Sequence, residues 1–149
     1  MTEPKGLGRF EGRTHILPIS VYYEDTDLSG VVYHANYLRY MERGRTEFFR
    51  MAGISRADLD AEEPTAWTIR RIAVEYHRPA RLDDQIQVVS RMTGISGARL
   101  NVLQRVMCGE RLLVEGRIEA CLITLTGKPR RLPKNVLETL APFATPEET

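Results

Sequence analysis

From residue 17 the chain alternates, with Leu17, Ile19, Val21 and Tyr23 set against Pro18, Ser20, Tyr22 and Glu24, the two-residue period of a strand with one buried face. The stretch that follows, Asp25-Thr26-Asp27-Leu28-Ser29-Gly30, is a run of turn formers. From Asn36 to Ala52 the period lengthens. Tyr37, Met41, Gly44, Phe48 and Met51 share one helical face, and Arg39, Glu42, Arg43 and Arg50 lie mostly off it. Asn36 is placed to cap the start of this helix, and Gly53 to end it in a left-handed conformation. A further helical turn is predicted between Ser55 and Glu63, ahead of Pro64.

Four strand-like segments come next: Trp67 to Arg78, with a bulge expected near Arg70 and Arg71; Gln85 to Thr93; Ala98 to Cys108; and Arg111 to Thr126. The length of the last suggests a central or strongly curved strand. Pro133 to Leu140 reads as a terminal helix. Short turns between successive strands imply an antiparallel sheet, so the fold class is α+β: one long helix on a curved sheet of about five strands, the hot-dog architecture. Gly44 is costly in mid-helix, by about 1 kcal/mol against alanine, and a close approach of helix backbone to sheet explains it. Residues 1–14 are expected to form an N-terminal tail, 15–142 the domain, and 143–149 a C-terminal tail. The open edge of the sheet needs cover, which predicts a homodimer or homotetramer.

Composition narrows the class without changing it. With 149 residues, 42% hydrophobic and 28% charged, the chain suits one ordinary soluble domain. Lysine and arginine number 21 against 20 acidic residues, a net charge of +1, which supplies no bulk field for nucleic acid. Cys108 and Cys121 are too few for a disulfide framework and read as small buried side chains. The polar start, without an apolar run of signal length, predicts a cytoplasmic location.

The chemistry concentrates between Asp25 and Tyr37. This segment joins the first strand to the start of the long helix, where backbone N–H groups lack partners and the helix dipole adds positive potential. A carboxylate in the same loop puts a base or nucleophile beside an oxyanion donor, the two parts that acyl transfer requires.

The stretch YYEDTDLSGVVYHANYLRYMERGRTEFF, together with VEYHRPARLDD at 74–84, resembles the 4-hydroxybenzoyl-CoA thioesterase family, closest to its Tol-Pal-associated, YbgC-like acyl-CoA thioesterases. The likeness spans residues 16–133. It implies hydrolysis of an acyl-CoA to free acid and CoA. Asp27 would be the catalytic carboxylate, as nucleophile or as general base, and His34 the main-chain oxyanion donor, its imidazole available to the substrate. Gly30, Val31, Tyr33 and Asn36 are assigned to substrate contact. For the CoA phosphates the candidate cations are Arg70-Arg71, Arg78 and Arg81, Arg99 and the cluster Lys128 to Arg131, with Lys128 and Arg130, in the densest cluster, assigned. No metal or cofactor is expected, coenzyme A being part of the substrate. Acyl carrier protein is a further partner that the resemblance suggests.

Each of these residues also has a plainer use. Asp25 and Asp27 can bond their own turn, with Asp25 the better structural candidate, and Asn36 is first of all a helix cap. Tyr33 and Tyr37 can be packing residues, and the basic groups can serve solubility. Two other functions fit the same fold: a hot-dog hydratase or dehydratase built on His34, and a non-enzymatic module binding an acyl carrier or an envelope complex.

Overall fold

The computed structural model describes residues 6–146. Six strands form one antiparallel sheet: β1 (Arg9–Glu11), β2 (Thr14–Ser20), β3 (Thr65–Tyr76), β4 (Gln85–Ser96), β5 (Arg99–Cys108) and β6 (Arg111–Thr124), in the order β1-β2-β4-β5-β6-β3. Helix α1 (Asn36–Ala52) crosses one face, and α2 (Arg56–Leu59) and α3 (Lys134–Leu140) close its far end. No helix among the described residues is long and apolar enough to cross a membrane.

The long helix keeps the boundaries that periodicity predicts. Tyr37, Met41, Gly44 and Phe48 are all buried, while Met51 is half-buried. Gly53 takes φ 92° and donates to the Phe49 and Arg50 carbonyls, ending the helix as a left-handed cap. The apolar stripe divides the core. Its first half packs Tyr37, Tyr40 and Met41 on Val88, Val106 and Val114. Its second half sets Phe48 among Met92, Leu100, Leu122 and Leu140. Full burial of each large side chain contributes about 1.5–3 kcal/mol.

Between these halves α1 touches the sheet at Gly44. A Cβ there would stand 2.7 Å from Val88 Cγ1 and 3.2 Å from Ser90 Oγ, so only glycine lets the helix sit this low. A buried polar knot lies at the same crossing. Gln104 donates to the Met41 carbonyl at 2.8 Å and to Ser90 Oγ at 2.9 Å, and accepts from Arg45 at 2.9 Å. A fully buried amide is costly unless bonded, and this one uses its bonds to register helix on sheet.

β6 is central, between β5 and β3, and β3 carries its register shift between Ile69 and Arg71, as the pattern suggests. The expected tails differ. Arg9–Glu11 pairs with β2, adding a sixth strand, because Phe10 packs 5.1 Å from Phe48 and 4.8 Å from Phe143. At the other end Thr145 donates to the Met92 carbonyl at 2.8 Å, so the packed structure runs past residue 142. Residues 1–5 and 147–149 of the two expected tails lie outside the described residues. The first strand stops at Ser20; the chain then enters a 3-10 turn, Tyr23–Asp25, that leaves Tyr23 exposed rather than inward.

Gly44→Ala is expected to lower stability by about 1–2 kcal/mol, overpacking outweighing the gain in helix propensity. The urea midpoint reads this. A variant as stable as the parent would show that the helix is not held at contact distance.

Candidate active site

The segment between β2 and α1 is a narrow ribbon folded on itself. Tyr33 N–H donates to the Asp25 carbonyl at 3.0 Å, Thr26 faces Val32 in an antiparallel bridge, and Asp27 N–H donates to the Val31 carbonyl at 2.9 Å. Gly30, with φ 81°, closes the tip by donating to the Asp27 carbonyl at 3.1 Å. The ribbon is tied down on its second arm, where Val32 N–H donates to the Ala80 carbonyl at 2.8 Å and Val31 bridges to Arg81.

Asp25 is the structural carboxylate. It is 8% exposed; its Oδ1 accepts from Asn36 Nδ2 at 2.7 Å and its Oδ2 from Tyr22 N–H at 2.9 Å. The buried Tyr40 phenol stands in the same cluster, its pKa pushed up chiefly by burial and then by Asp25. The expected cap role of Asn36 is corrected here. Ala35 occupies the flanking position in helical geometry, Asn36 is the first helical residue, and its amide reaches back to the buried Asp25 rather than capping N–H groups.

Asp27 lies two residues beyond the buried Asp25, on the exposed side of the loop. Its carboxyl is exposed, and Oδ1 accepts both the Ser29 hydroxyl and the Ser29 N–H, the latter at 2.8 Å. Those two bonds, the hydroxyl first, hold the Asp27 pKa below the ordinary carboxylate range. The loop therefore presents a pre-ionised carboxylate to solvent. Ser29, which offers no nucleophile motif, acts on Asp27 instead.

At the foot of the ribbon Asn36 N–H donates to the Tyr33 carbonyl at 2.8 Å, which turns the chain into α1. The intervening N–H groups of His34 and Ala35 meet no backbone acceptor among the described residues. They belong to the unpaired set at a helix start and carry its positive potential. A cavity of about 260 Å³ opens here, lined by Val32, His34, Tyr37, Tyr76, His77, Arg78 and Pro79. The His34 ring is exposed and stands 4.6 Å from Tyr33 and 6.3 Å from Tyr76. Tyr37 is buried yet borders the cavity, and its hydroxyl accepts the Ala80 N–H at 2.9 Å.

The ribbon thus brings Asp27, Gly30, Val31, Tyr33 and His34 to one end of α1. Lys128 and Arg130 are not brought there. They follow β6 beside the Thr65 end of β3, whereas Tyr76 ends that strand 11 residues later, roughly 35 Å away. Arg130 is also engaged, pairing with Glu62 and Glu63. The cation that does line the cavity is Arg78, which has no ion-pair partner among the described residues. The residues that motif reading passed over are Tyr76 and His77, whereas Arg78 is one of the cations it offers for phosphate. Alternation marks Tyr76 only as a strand position, although all three fall in the VEYHRPARLDD segment.

Comparisons with known proteins find thioesterases. The family model of the thioesterase-like superfamily matches residues 21–140. The acyl-CoA thioester hydrolase YbgC of Escherichia coli O157:H7 is 42% identical over 122 residues, covering 80% of this chain and 90% of that protein. The acyl-CoA thioesterase YbgC of Haemophilus influenzae is 38% identical over 120 residues, covering 80% and 88%. Among solved structures, one titled "Probable Thioesterase from Bartonella henselae" is 40% identical and covers 80% of this chain and 99% of its own, with a TM-score of 0.77.

The two neighbouring aspartates are expected to separate on mutation. Asp25→Ala strands the Asn36 amide and Tyr22 N–H and is expected to cost about 2–3 kcal/mol. Asp27→Asn is expected to leave the unfolding midpoint close to that of the parent. Urea unfolding of both variants checks this, and a silent Asp25→Ala would remove Asp25 as the brace.

Proposed function

The chain belongs to the thioesterase-like superfamily, and on that footing we propose that it hydrolyses acyl-CoA thioesters to free acid and coenzyme A. The observation that carries the proposal is the pairing, on one ribbon, of an ionised Asp27 with unpaired N–H groups at the start of α1. The thioester oxygen binds the His34 N–H, where negative charge grows as the carbonyl carbon becomes tetrahedral. One such donor contributes about 3–4 kcal/mol to the transition state.

Asp27 acts at the carbonyl carbon by one of two routes. It attacks directly, giving a mixed anhydride that water then cleaves, or it takes a proton from water as that water attacks. In both, the carbon–sulfur bond breaks, CoA leaves as a thiolate that takes up a proton, and water supplies the second oxygen of the acid. The cleavage calls on no metal or cofactor. The exposed His34 ring and Tyr33 orient the bound ester beside Gly30 and Val31.

The resemblance of the loop and the YbgC relatives support acyl-CoA as substrate, with acyl carrier protein as the other thioester carrier to be compared. Arg78, on the wall of the cavity, is a cation available to a CoA phosphate. Lys128 and Arg130 reach such a site only from a second protomer. The outer edge of β3 is unpaired and exposes Ile69, Ile72 and Tyr76, which supports assembly into a homodimer or homotetramer. A cytoplasmic location, where acyl-CoA is made and used, completes the proposal.

A screen of acyl-CoAs with a thiol reporter tests it. Asp27→Asn is expected to lower turnover at least about 100-fold without unfolding the chain. Because Ser29 favours the charged carboxylate, activity in the parent is expected to persist on acidification through the ordinary carboxylate range. Ser29→Ala is expected to move that acid limb upward. Wild-type turnover in Asp27→Asn would refute the role of the carboxylate.

A further inference from the structure

Tyr76 ends β3, at the edge of the sheet, and its backbone exit is fixed. Both His77 N–H and Arg78 N–H donate to the Leu113 carbonyl, at 2.8 and 3.0 Å. From there the Tyr76 hydroxyl crosses to the start of α1 and donates to the His34 carbonyl at 3.0 Å. Its ring is held edge-on to Tyr37 at 5.8 Å, and Tyr37 is itself tied to Ala80. This side-chain bond, across 42 residues, joins the edge strand to the helix entry, and a half-exposed tyrosine needs no such bond for its own sake.

The peptide unit that Tyr76 touches is the one joining His34 to Ala35. Its carbonyl end accepts the phenol, and its N–H end is the Ala35 donor, which like the His34 N–H meets no backbone acceptor among the described residues. A hydrogen bond accepted at a carbonyl polarises the whole amide, so its N–H becomes a stronger donor. The same bond fixes the rotation of that peptide plane, and donors must be aimed before charge develops to be effective.

We propose that Tyr76 is a positioning residue for the oxyanion-binding turn, acting through the His34 carbonyl to orient and polarise the His34–Ala35 peptide, so that Ala35 N–H serves as a second donor beside His34 N–H. The inference rests on the hydrolytic reading above. It adds a residue on a different strand, and it makes the oxyanion contact a pair of amides.

The test uses the full chain and Tyr76→Phe, which keeps the ring and removes only the donor. kcat on the best acyl-CoA of the screen is expected to fall about 10-fold, with KM within about two-fold and the urea midpoint unchanged. Backbone NMR supplies a readout independent of turnover: the His34 carbonyl carbon and the Ala35 amide are expected to shift in Tyr76→Phe. Wild-type kcat in Tyr76→Phe, or a rise in KM alone, overturns the proposal, as does an unmoved Ala35 amide. Tyr76→Leu separates packing from donation: a loss seen only in the leucine variant also overturns it. Asp27→Asn run in parallel keeps the two readings apart. An active Asp27→Asn defeats the hydrolytic mechanism, whereas an inactive one beside a fully active Tyr76→Phe defeats only the role given to Tyr76.

Discussion

A single buried bond, Asn36 Nδ2 to Asp25 Oδ1 at 2.7 Å, decides where the long helix begins relative to the loop that feeds it. One partner is charged and both are nearly water-free, so the bond is stronger than an exposed equivalent and expensive to break. Everything chemical in the segment is registered from it. Asp25 is the point where Tyr33 starts the ribbon ladder, Asp27 lies one step further out, and His34 follows Tyr33 directly into the helix. Moving the brace would move carboxylate and amide donors together, and sliding either arm by one residue would turn Asp27 to the other face of the ribbon.

That local order is useful only because α1 itself cannot shift. Gly44 lets the helix rest against Val88 and Ser90, and the Gln104 knot bonds the helix backbone at Met41 to the sheet. The two halves of the core then clamp the stripe on either side of this contact. A rigid helix with a braced first turn holds its unpaired N–H groups in place before any substrate arrives, which is how amide donors lower a barrier without reorganising. The Asp27 loop is the exposed part, open to a thioester in the proposed reaction.

Much of this was legible in the sequence because it follows from period and punctuation. The helix from Asn36 to Ala52, the Gly53 cap, the bulge in β3, the central place of β6 and the reason for Gly44 all rest on local pattern, and the structure agrees with each. Asp25 as the structural aspartate was legible too, but its partner was not. Asn36 beside a helix start looks like a cap, and only tertiary closure of the ribbon shows that a carboxylate eleven residues earlier outbids the backbone for its amide. Phe10 gave no periodic signal among glycines and charges, so β1 depends on contacts with Phe48 and Phe143 that are distant in sequence. Tyr76 was hidden for the same reason: strand alternation describes which way a side chain points, not which carbonyl it meets 42 residues away. Lys128 and Arg130 looked suitable by charge density alone, which carries no information about the end of the sheet on which they fall.

Whether thioester oxygen and helix entry meet is read from a crystal structure of the protein with an acyl-CoA analogue in which a methylene replaces the thioester sulfur, so that the carbonyl remains but cannot be cleaved. The carbonyl oxygen is expected about 3 Å from the His34 N–H, with the Asp27 carboxylate facing the carbonyl carbon. An analogue bound with its carbonyl turned away from the start of α1, or seated where Asp27 cannot reach it, would show that carboxylate and amide do not act on one ester.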